Sequence, residues 1–294
     1  MEEANLISRR RFLTASMVLA SSLELRSAAF AMGFGADSTV CKLSAEQEVG
    51  PYYVAGELLR SDITEEKPGV PLALRIVLLD ARTCAPIRNA AIDIWHCDAL
   101  GVYSGYTKQS MMAGPGGPPP NGGPAPGFGP PPGMQPGMPP GMQTGGPGMG
   151  PPPQSSPSDK LTFLRGIQLT GGDGGVNFRT VFPGFYMGRT NHIHFKVRLG
   201  GRAEERSYAA GHTSHVGQVF FPEEVAAGLM KHEPYSRHNI HRTTQDEDAV
   251  FVDQDGMMSI AKLQPSGNGY RAELIAAVDP TATPAPARRG DFPG

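Results

Sequence analysis

Residues 183–197, PGFYMGRTNHIHFKV, decide the fold and carry the chemistry, because they place a tyrosine, an arginine and two histidines within nine residues. His192 and His194 are two residues apart, and Ile193, Phe195 and Val197 alternate with them. Side chains in a strand point alternately to opposite faces, so we predict a β-strand with both imidazoles on one face and its apolar residues on the other. Two neutral imidazoles on one face are a ready pair of metal ligands.

The charge of the chain excludes some partners. Its 294 residues include 26 basic and 28 acidic side chains, a balance close to neutral. A protein that binds nucleic acid or an anionic membrane surface usually carries a basic excess. We therefore predict no nucleic-acid partner.

The beginning of the chain has the three parts of an export signal in order. Residues 8–13, SRRRFL, fit the twin-arginine pattern, residues 15–23 are mildly apolar, and residues 29–31, AFA, form a small-residue cleavage site. The apolar run is too short to span a membrane. We predict that residues 1–31 are a twin-arginine signal, that the protein works in the periplasm or outside the cell, and that it has no stable membrane anchor.

Short apolar or alternating runs separated by turn residues fill the rest of the chain and predict an all-β fold, a β-sandwich of mostly antiparallel strands with one short helix and long loops. The helix is predicted at residues 222–231, where proline is followed by acidic residues. Residues 171–175, GGDGG, predict a hairpin turn, and residues 81–89 predict a loop, which would make residues 72–97 a hairpin turning near Cys84 if the strands on either side of it pair. Besides the opening stretch, strands are predicted at residues 72–80, 91–95, 161–169, 176–182, 215–221, 249–252, 257–263 and 270–278.

One region interrupts this pattern. Residues 113–157 contain no charged residue and consist largely of Gly, Pro and Met. Such a segment cannot bury enough apolar surface to offset the entropy of ordering it, so we predict a disordered insertion in a loop. A methionine-rich Cu(I) site in this insertion is the alternative. The sandwich is predicted to form one domain, residues 32–279, followed by a disordered tail, residues 280–294.

The three cysteines, Cys41, Cys84 and Cys97, allow one disulfide and leave one thiol over. A hairpin over residues 72–97 would place Cys97 far from the turn at Cys84, which disfavours a bridge between these two. Cys41 paired with either of the others stays open. A zinc site of two cysteines and a histidine also stays open, although no CxxC spacing is present.

A second chemical motif, residues 95–106, reads WHCDALGVYSGY and supplies a tyrosine to accompany the histidine pair. With Tyr103 and Tyr186, the predicted site has two phenols and two imidazoles. A phenol, whose usual pKa is about 10, ionises at neutral pH only beside a strong positive charge. Anionic oxygen ligands combined with imidazoles favour Fe(III) over Zn(II).

Four blocks of the chain together resemble the intradiol ring-cleavage dioxygenases of the protocatechuate/catechol type, especially their secreted single-domain members. The resemblance extends over residues 43–278, and its blocks follow the family's order. They are EQEVGPYY at residues 46–53, DIWHCDALGVYSGY at residues 93–106, TFLRGIQ at residues 162–168, and the opening stretch.

The resemblance implies a set of metal ligands for one non-haem Fe(III) ion, made of two tyrosines and two histidines. The matching side chains are Tyr103, Tyr186, His192 and His194. It further implies that a catechol displaces Tyr186, which then helps to take up the protons of the substrate.

The resemblance also implies roles around the metal. Arg189 would be a fixed cation that meets the substrate and the negative charge developing on it, and Gln218 would hydrogen-bond this arginine. Tyr52 and Tyr53 would line the substrate pocket. His96 lies outside the ligand pattern and is predicted to be structural.

The function implied is an oxidoreductase that cleaves a catechol-type ring between its two hydroxyls with O2, giving a muconate-type diacid. Its partners would be a small aromatic diol and O2, and a homodimer is compatible with this function. The alternative is a secreted, non-catalytic β-sandwich that binds a metal or a polymer. A copper-handling protein is a third interpretation, which leaves both tyrosines unexplained.

Overall fold

A computed structural model of the chain describes residues 42–55, 58–108 and 156–284. These residues belong to one compact unit. The predicted export signal, residues 1–31, therefore lies outside the described residues, as do all but the last two residues of the predicted insertion, 113–157, and most of the predicted tail. These assignments and the homodimer stay predictions.

Two four-stranded sheets make up most of the described part of the chain, which confirms the predicted all-β sandwich. One sheet has the strand order β4-β1-β10-β9 and the other β3-β2-β5-β8; β6 and β7 form a separate ribbon. Every pair is antiparallel except the parallel pair β1–β10. The strands are β1 (Pro71–Asp80), β2 (Ala91–Trp95), β3 (Arg165–Leu169), β4 (Gly175–Val181), β5 (His192–Leu199), β6 (Arg202–Ala203), β7 (Tyr208–Ala209), β8 (His212–Phe220), β9 (Lys262–Ser266) and β10 (Gly269–Val278).

The core lies between the two sheets. Alternate residues of β1, among them Leu74, and alternate residues of β5, among them Ile193 and Phe195, belong to one buried apolar cluster. Phe182 and Phe221 pack against each other in the same cluster, with ring centroids 4.5 Å apart. Because the apolar side chains of β5 fill this core, its other face is turned outward and is available for a site.

The hairpin predicted at residues 171–175 does not form, and neither does the one considered for residues 72–97. β1 and β2 belong to different sheets, so the chain crosses from one sheet to the other between them. The turn at residues 171–175 forms, with the Gly171 N–H donating to the Gly175 carbonyl at 3.1 Å, but it too joins strands of different sheets. A turn sequence fixes the reversal of the chain, whereas which strands then pair depends on long-range packing.

Two α-helices are present among the described residues rather than one. α1 (Glu223–Leu229) confirms the predicted helix after Pro222. α2 (Ala249–Asp253) replaces a predicted strand, because the Asp248 side chain accepts hydrogen bonds from the first backbone N–H groups and caps a helix. The strand predicted at 257–263 is wrong in its first half, where a 3-10 turn, Gly256–Ser259, precedes β9. No helix within the described ranges has the length and apolar character needed to cross a membrane.

The structure partly answers which of the three cysteines form the disulfide. Cys84 is disulfide-bonded, with a partner outside the described residues, and Cys97 is a buried free thiol. Cys84 and Cys97 are therefore not bonded, as predicted, although the hairpin used in that argument does not exist. The alternative pairing with Cys97 is excluded.

The core predicts a clear difference between two leucines. Leu74→Ala should lower the free energy of unfolding by about 2 to 5 kcal/mol, because it opens a cavity between the sheets. Leu161 is 53% exposed, so Leu161→Ala should change it by less than about 0.5 kcal/mol. Urea unfolding of both variants measures the difference, and equal losses would contradict the assignment of Leu74 to the core.

Candidate metal centre

The two histidines of β5 lie together on the outer face of the β3-β2-β5-β8 sheet. His192 and His194 are each 1% exposed, and their ring centroids are 4.7 Å apart. Their Nε2 atoms face each other at 3.1 Å. Two nitrogens bound at right angles to one metal through bonds of about 2.1 Å would be about 3 Å apart, so this spacing fits a shared ion.

Neighbouring groups hold both imidazoles in place. His192 Nδ1 lies 2.7 Å from the Thr190 carbonyl, which can only accept, so Nδ1 carries the proton of the neutral ring and Nε2 keeps its lone pair. Trp95 stands opposite His194 in the register of β2 and stacks on it, with centroids 4.9 Å apart and planes 3° from parallel. The imidazoles therefore point in fixed directions before any ligand binds.

Burial keeps both rings uncharged. It lowers the pKa of His192 and the pKa of His194 well below the ordinary value, and the positive charge of Arg189 lowers both further. Neutral imidazole is the form that binds metal ions. Both histidines are thus available as ligands at neutral pH.

The two predicted tyrosines join the histidines. The Tyr103 ring lies 5.7 Å from the Tyr186 ring and 6.5 Å from the His194 ring, and the Tyr186 ring lies 5.6 Å from the His192 ring, all between centroids. Gly101 lets the Tyr103 turn approach closely, because its φ is +78° and a Cβ there would lie 2.5 Å from the Phe185 carbonyl oxygen. All four predicted side chains therefore lie in one cluster.

The phenols are neutral without a metal ion beside them, although the Arg189 guanidinium is close. Burial raises the pKa of Tyr103 well above its ordinary value, with the neighbouring Tyr186 raising it further. Burial also raises the pKa of Tyr186, although Arg189 partly opposes this. Only a strongly charged ion would convert the two phenols to phenolates, and ferric iron prefers such hard oxygen ligands together with imidazoles.

The histidine pair has no third ligand of the common metal-binding residue types among the described residues. Within the described ranges, no group of three or more His, Cys, Asp or Glu side chains could hold a metal ion. The described residues therefore do not form the alternative zinc site of two cysteines and a histidine.

Arg189 lies beside the cluster as a buried cation that is 5% exposed. Its Nε contacts both carboxylate oxygens of Asp248, at 3.0 and 3.1 Å, and its Nη2 donates to Gln218 Oε1 at 2.5 Å. Its Nη1 lies 3.4 Å from the Tyr186 hydroxyl oxygen. Burial alone would lower the pKa of Arg189, but Tyr186, Asp248 and Glu48 outweigh it and raise the pKa.

The GPYY segment covers the cluster, but its tyrosines differ. Gly50 lies against His194, where a Cβ would be 2.9 Å from the ring carbon Cε1, and its φ is +68°. Tyr52 stacks on Tyr103, with centroids 4.6 Å apart. Tyr53 instead donates to Asp93 Oδ2 at 3.0 Å and packs against Trp95, which separates it from the cluster by one ring.

Three residues at the site were not predicted from the sequence. Asp248 binds Arg189, and Glu48 Oε1 lies 3.5 Å from Arg189 Nη1. Arg165, 1% exposed, donates to the carbonyls of Tyr52 at 2.8 Å and Ser104 at 2.6 Å, and so links the segments that carry two of the tyrosines. A signal existed for Arg165, since a cation inside an apolar strand needs buried acceptors.

His96 lies outside the cluster. It bridges the Cys97 carbonyl at 2.8 Å and the Thr180 hydroxyl at 2.7 Å. Burial lowers the pKa of His96 to about 4. The ring is therefore neutral and connects the residue after β2 to Thr180 of β4, in the other sheet, which is a structural role.

Comparisons with known proteins agree with this geometry at the level of the fold. No protein-family model and no curated protein sequence matches the chain. Among solved structures, an intradiol ring-cleavage dioxygenase from Tetranychus urticae is 28% identical with a TM-score of 0.63, over 84% of this chain and 98% of that one. A second solved structure, a dioxygenase, is 29% identical with a TM-score of 0.63, over 83% of this chain and 97% of that one. The similarity thus extends over nearly the whole of both known chains.

His96 gives the metal-free protein a specific acid sensitivity. Its pKa is about 4 when folded and about 6.5 when unfolded, so between these values the unfolded chain binds more protons and stability falls as pH falls. This residue alone should remove about 3 kcal/mol of stability between pH 7 and pH 4. His96→Gln should lose that part of the pH dependence in urea unfolding.

The matched control is His212→Gln, at an exposed histidine, which should keep the dependence of the unmodified protein. An unchanged slope in His96→Gln would contradict the assignment of a neutral, buried His96.

Proposed function

We propose that the chain is an intradiol ring-cleavage dioxygenase and a non-haem Fe(III) enzyme, which its similarity to a solved intradiol ring-cleavage dioxygenase at 28% identity supports. It cleaves the aromatic ring of a catechol-type substrate between its two hydroxyls with O2 and produces a muconate-type diacid. The observation that carries this proposal is the buried cluster of two imidazoles and two phenols with Arg189 beside it.

Four side chains would hold the iron: Tyr103, Tyr186, His192 and His194. The donor set supports this choice, since the two Nε2 atoms have the spacing of two ligands of one ion and the phenols would ionise only beside a strongly charged metal ion. Bound there, Fe(III) would accept both catechol oxygens and prepare the ring for reaction with O2.

The two phenols have different surroundings, which suggests different tasks. Tyr103 is fully buried under the stacked ring of Tyr52, whereas Tyr186 is only partly buried. We assign Tyr186 as the group that gives up its ligand position to the substrate and takes a catechol proton at its phenol oxygen. Tyr103 keeps its position throughout.

Arg189 would stabilise negative charge on the substrate. Its Nη1 is directed at the Tyr186 hydroxyl, while Asp248 and Gln218 immobilise the rest of the guanidinium. A cation held in advance costs no reorganisation when charge develops, which is the condition for strong electrostatic stabilisation. The Tyr52 ring, next to Tyr186, would line one side of the substrate position. Tyr53 would support the site indirectly, because it packs against Trp95.

A non-catalytic, metal- or polymer-binding β-sandwich is the other candidate. A binding module would need the four ligands but not a buried arginine with a complete set of partners next to them. The position of Arg189 therefore favours the enzyme.

We also propose, from residues 1–31 alone, that the protein is exported by the twin-arginine route. Fractionation of cells that express the protein with and without that segment would test this.

The decisive experiment is to load the purified protein with Fe(III) and assay it against a panel of catechols. Tyrosinate bound to Fe(III) should give a red-brown colour, and turnover under ¹⁸O₂ should give a diacid with both labelled oxygen atoms. A colourless protein after iron loading would contradict the centre. A coloured protein that forms no diacid from any catechol would support the binding module.

Substitutions at the ligands should separate binding from turnover. Tyr186→Phe should keep its iron and lower kcat by about 100-fold or more, because it removes the proton acceptor. His192→Ala and His194→Ala should each lose the metal, measured as iron per protein. Tyr270→Phe and His212→Ala, outside the centre, are the matched controls and should keep both iron and activity. Full turnover by Tyr186→Phe would refute the assignment of the proton acceptor.

A further inference from the structure

We propose that Asp248 is a positioning residue that fixes two groups together, Arg189 and the backbone of Thr190, the residue whose carbonyl orients His192. The inference rests on the proposed function for its effect on turnover, whereas the contacts themselves lie in the described residues. Asp248 is in none of the four sequence blocks that carry the resemblance to the family.

The first contact is with the cation. Asp248 is 0% exposed and Arg189 is 5% exposed, so each charge lacks water and depends on the other. Both carboxylate oxygens lie within 3.1 Å of Arg189 Nε. Glu48 cannot replace this partner, because it approaches only the Nη1 end, at 3.5 Å, and its side chain is 30% exposed.

The second contact is with the start of β5. Asp248 Oδ2 accepts the Thr190 N–H at 2.9 Å, and the Thr190 carbonyl accepts from His192 Nδ1 at 2.7 Å. The Thr190 N–H that Asp248 holds is thus in the same residue as the carbonyl that sets the His192 tautomer. A shift of the Asp248 carboxylate would move the cation and the orientation of the imidazole together.

The third contact fixes Asp248 itself. Its Oδ1 accepts the N–H groups of Val250 at 2.9 Å and Phe251 at 3.3 Å, which caps α2. A capping role alone would use a single oxygen. Here the two oxygens together accept hydrogen bonds from the N-terminus of α2, from Arg189 and from the Thr190 N–H. The helix N-terminus therefore holds the carboxylate in place for its contacts with Arg189 and Thr190.

Asp248→Asn is the informative variant. Asparagine caps a helix as well as aspartate does, but it has one acceptor oxygen and no charge. It can keep α2 and must then lose Arg189, Thr190 or both. We expect kcat for catechol to fall about 30- to 100-fold, as a misplaced catalytic group does, and the visible absorption maximum of the iron-loaded protein to shift.

Glu247→Gln is the matched control. It removes one negative charge from the adjacent residue, whose carboxylate contacts only Thr244 and His241 among the described residues, at the surface. We expect its kcat and its absorption maximum to match those of the unmodified protein. A loss in Glu247→Gln equal to that in Asp248→Asn would show an effect of net charge and would overturn the proposal.

A double-mutant cycle with Arg189→Gln distinguishes positioning from general damage. If Asp248 acts through Arg189, the double variant should have a kcat within about threefold of Arg189→Gln alone. Effects that multiply would overturn the proposal. Should Asp248→Asn fail to fold, Asp248→Glu, which keeps the charge and moves the carboxylate by one methylene, takes its place in the cycle with the same expectation.

The same cycle run on thermal unfolding of the iron-free protein separates this inference from the proposed function. Non-additive stability changes would support the tie between Asp248 and Arg189 even if no catechol were cleaved. An unmodified protein that cleaves no catechol would refute the function alone. Additive stability changes together with multiplying effects on kcat would refute the inference alone.

Discussion

The centre depends on the alternation of side chains along β5. Ile193 and Phe195 fill the core between the sheets, and this burial fixes the rotation of the strand about its axis. His192 and His194 must then leave the opposite face together, with Nε2 atoms 3.1 Å apart. A slip by one residue would exchange the two sets, exposing the apolar residues and burying the imidazoles in an apolar core. The energy of the core therefore also sets the geometry of the site.

The local sequence pattern predicts most of the strands and the four side chains that form the cluster. β2 was predicted at its observed bounds, and the strand face that carries His192 and His194 followed from the alternation alone. The pairing of the strands did not follow, because the turn at residues 171–175 looks the same whether it joins neighbours or crosses between sheets. The structure brings the four ligand candidates together, whereas their roles rest on the resemblance and on the experiments above.

The sequence does not predict residues whose role depends on contacts with partners distant in the sequence. Asp248 was hidden because the apolar residues after it suit a short strand as well as a short helix, and only tertiary packing decides between them. Arg165 lies in a predicted strand, but the sequence alone does not show that its guanidinium is buried against the carbonyls of Tyr52 and Ser104. Tyr52 and Tyr53 are adjacent in the sequence but contact different neighbours, Tyr103 and Asp93. A sequence motif that contains both tyrosines does not show this difference.

Trp95 is the only tryptophan of the chain, and its indole lies flat on the ring of His194. The tryptophan fluorescence of the protein therefore arises from one place, in contact with the candidate centre. A paramagnetic ion bound to His194 would quench that emission efficiently, whereas an ion bound elsewhere on the surface would leave it bright. The chain thus contains its own optical reporter, from which the fraction of filled centres can be read without a label.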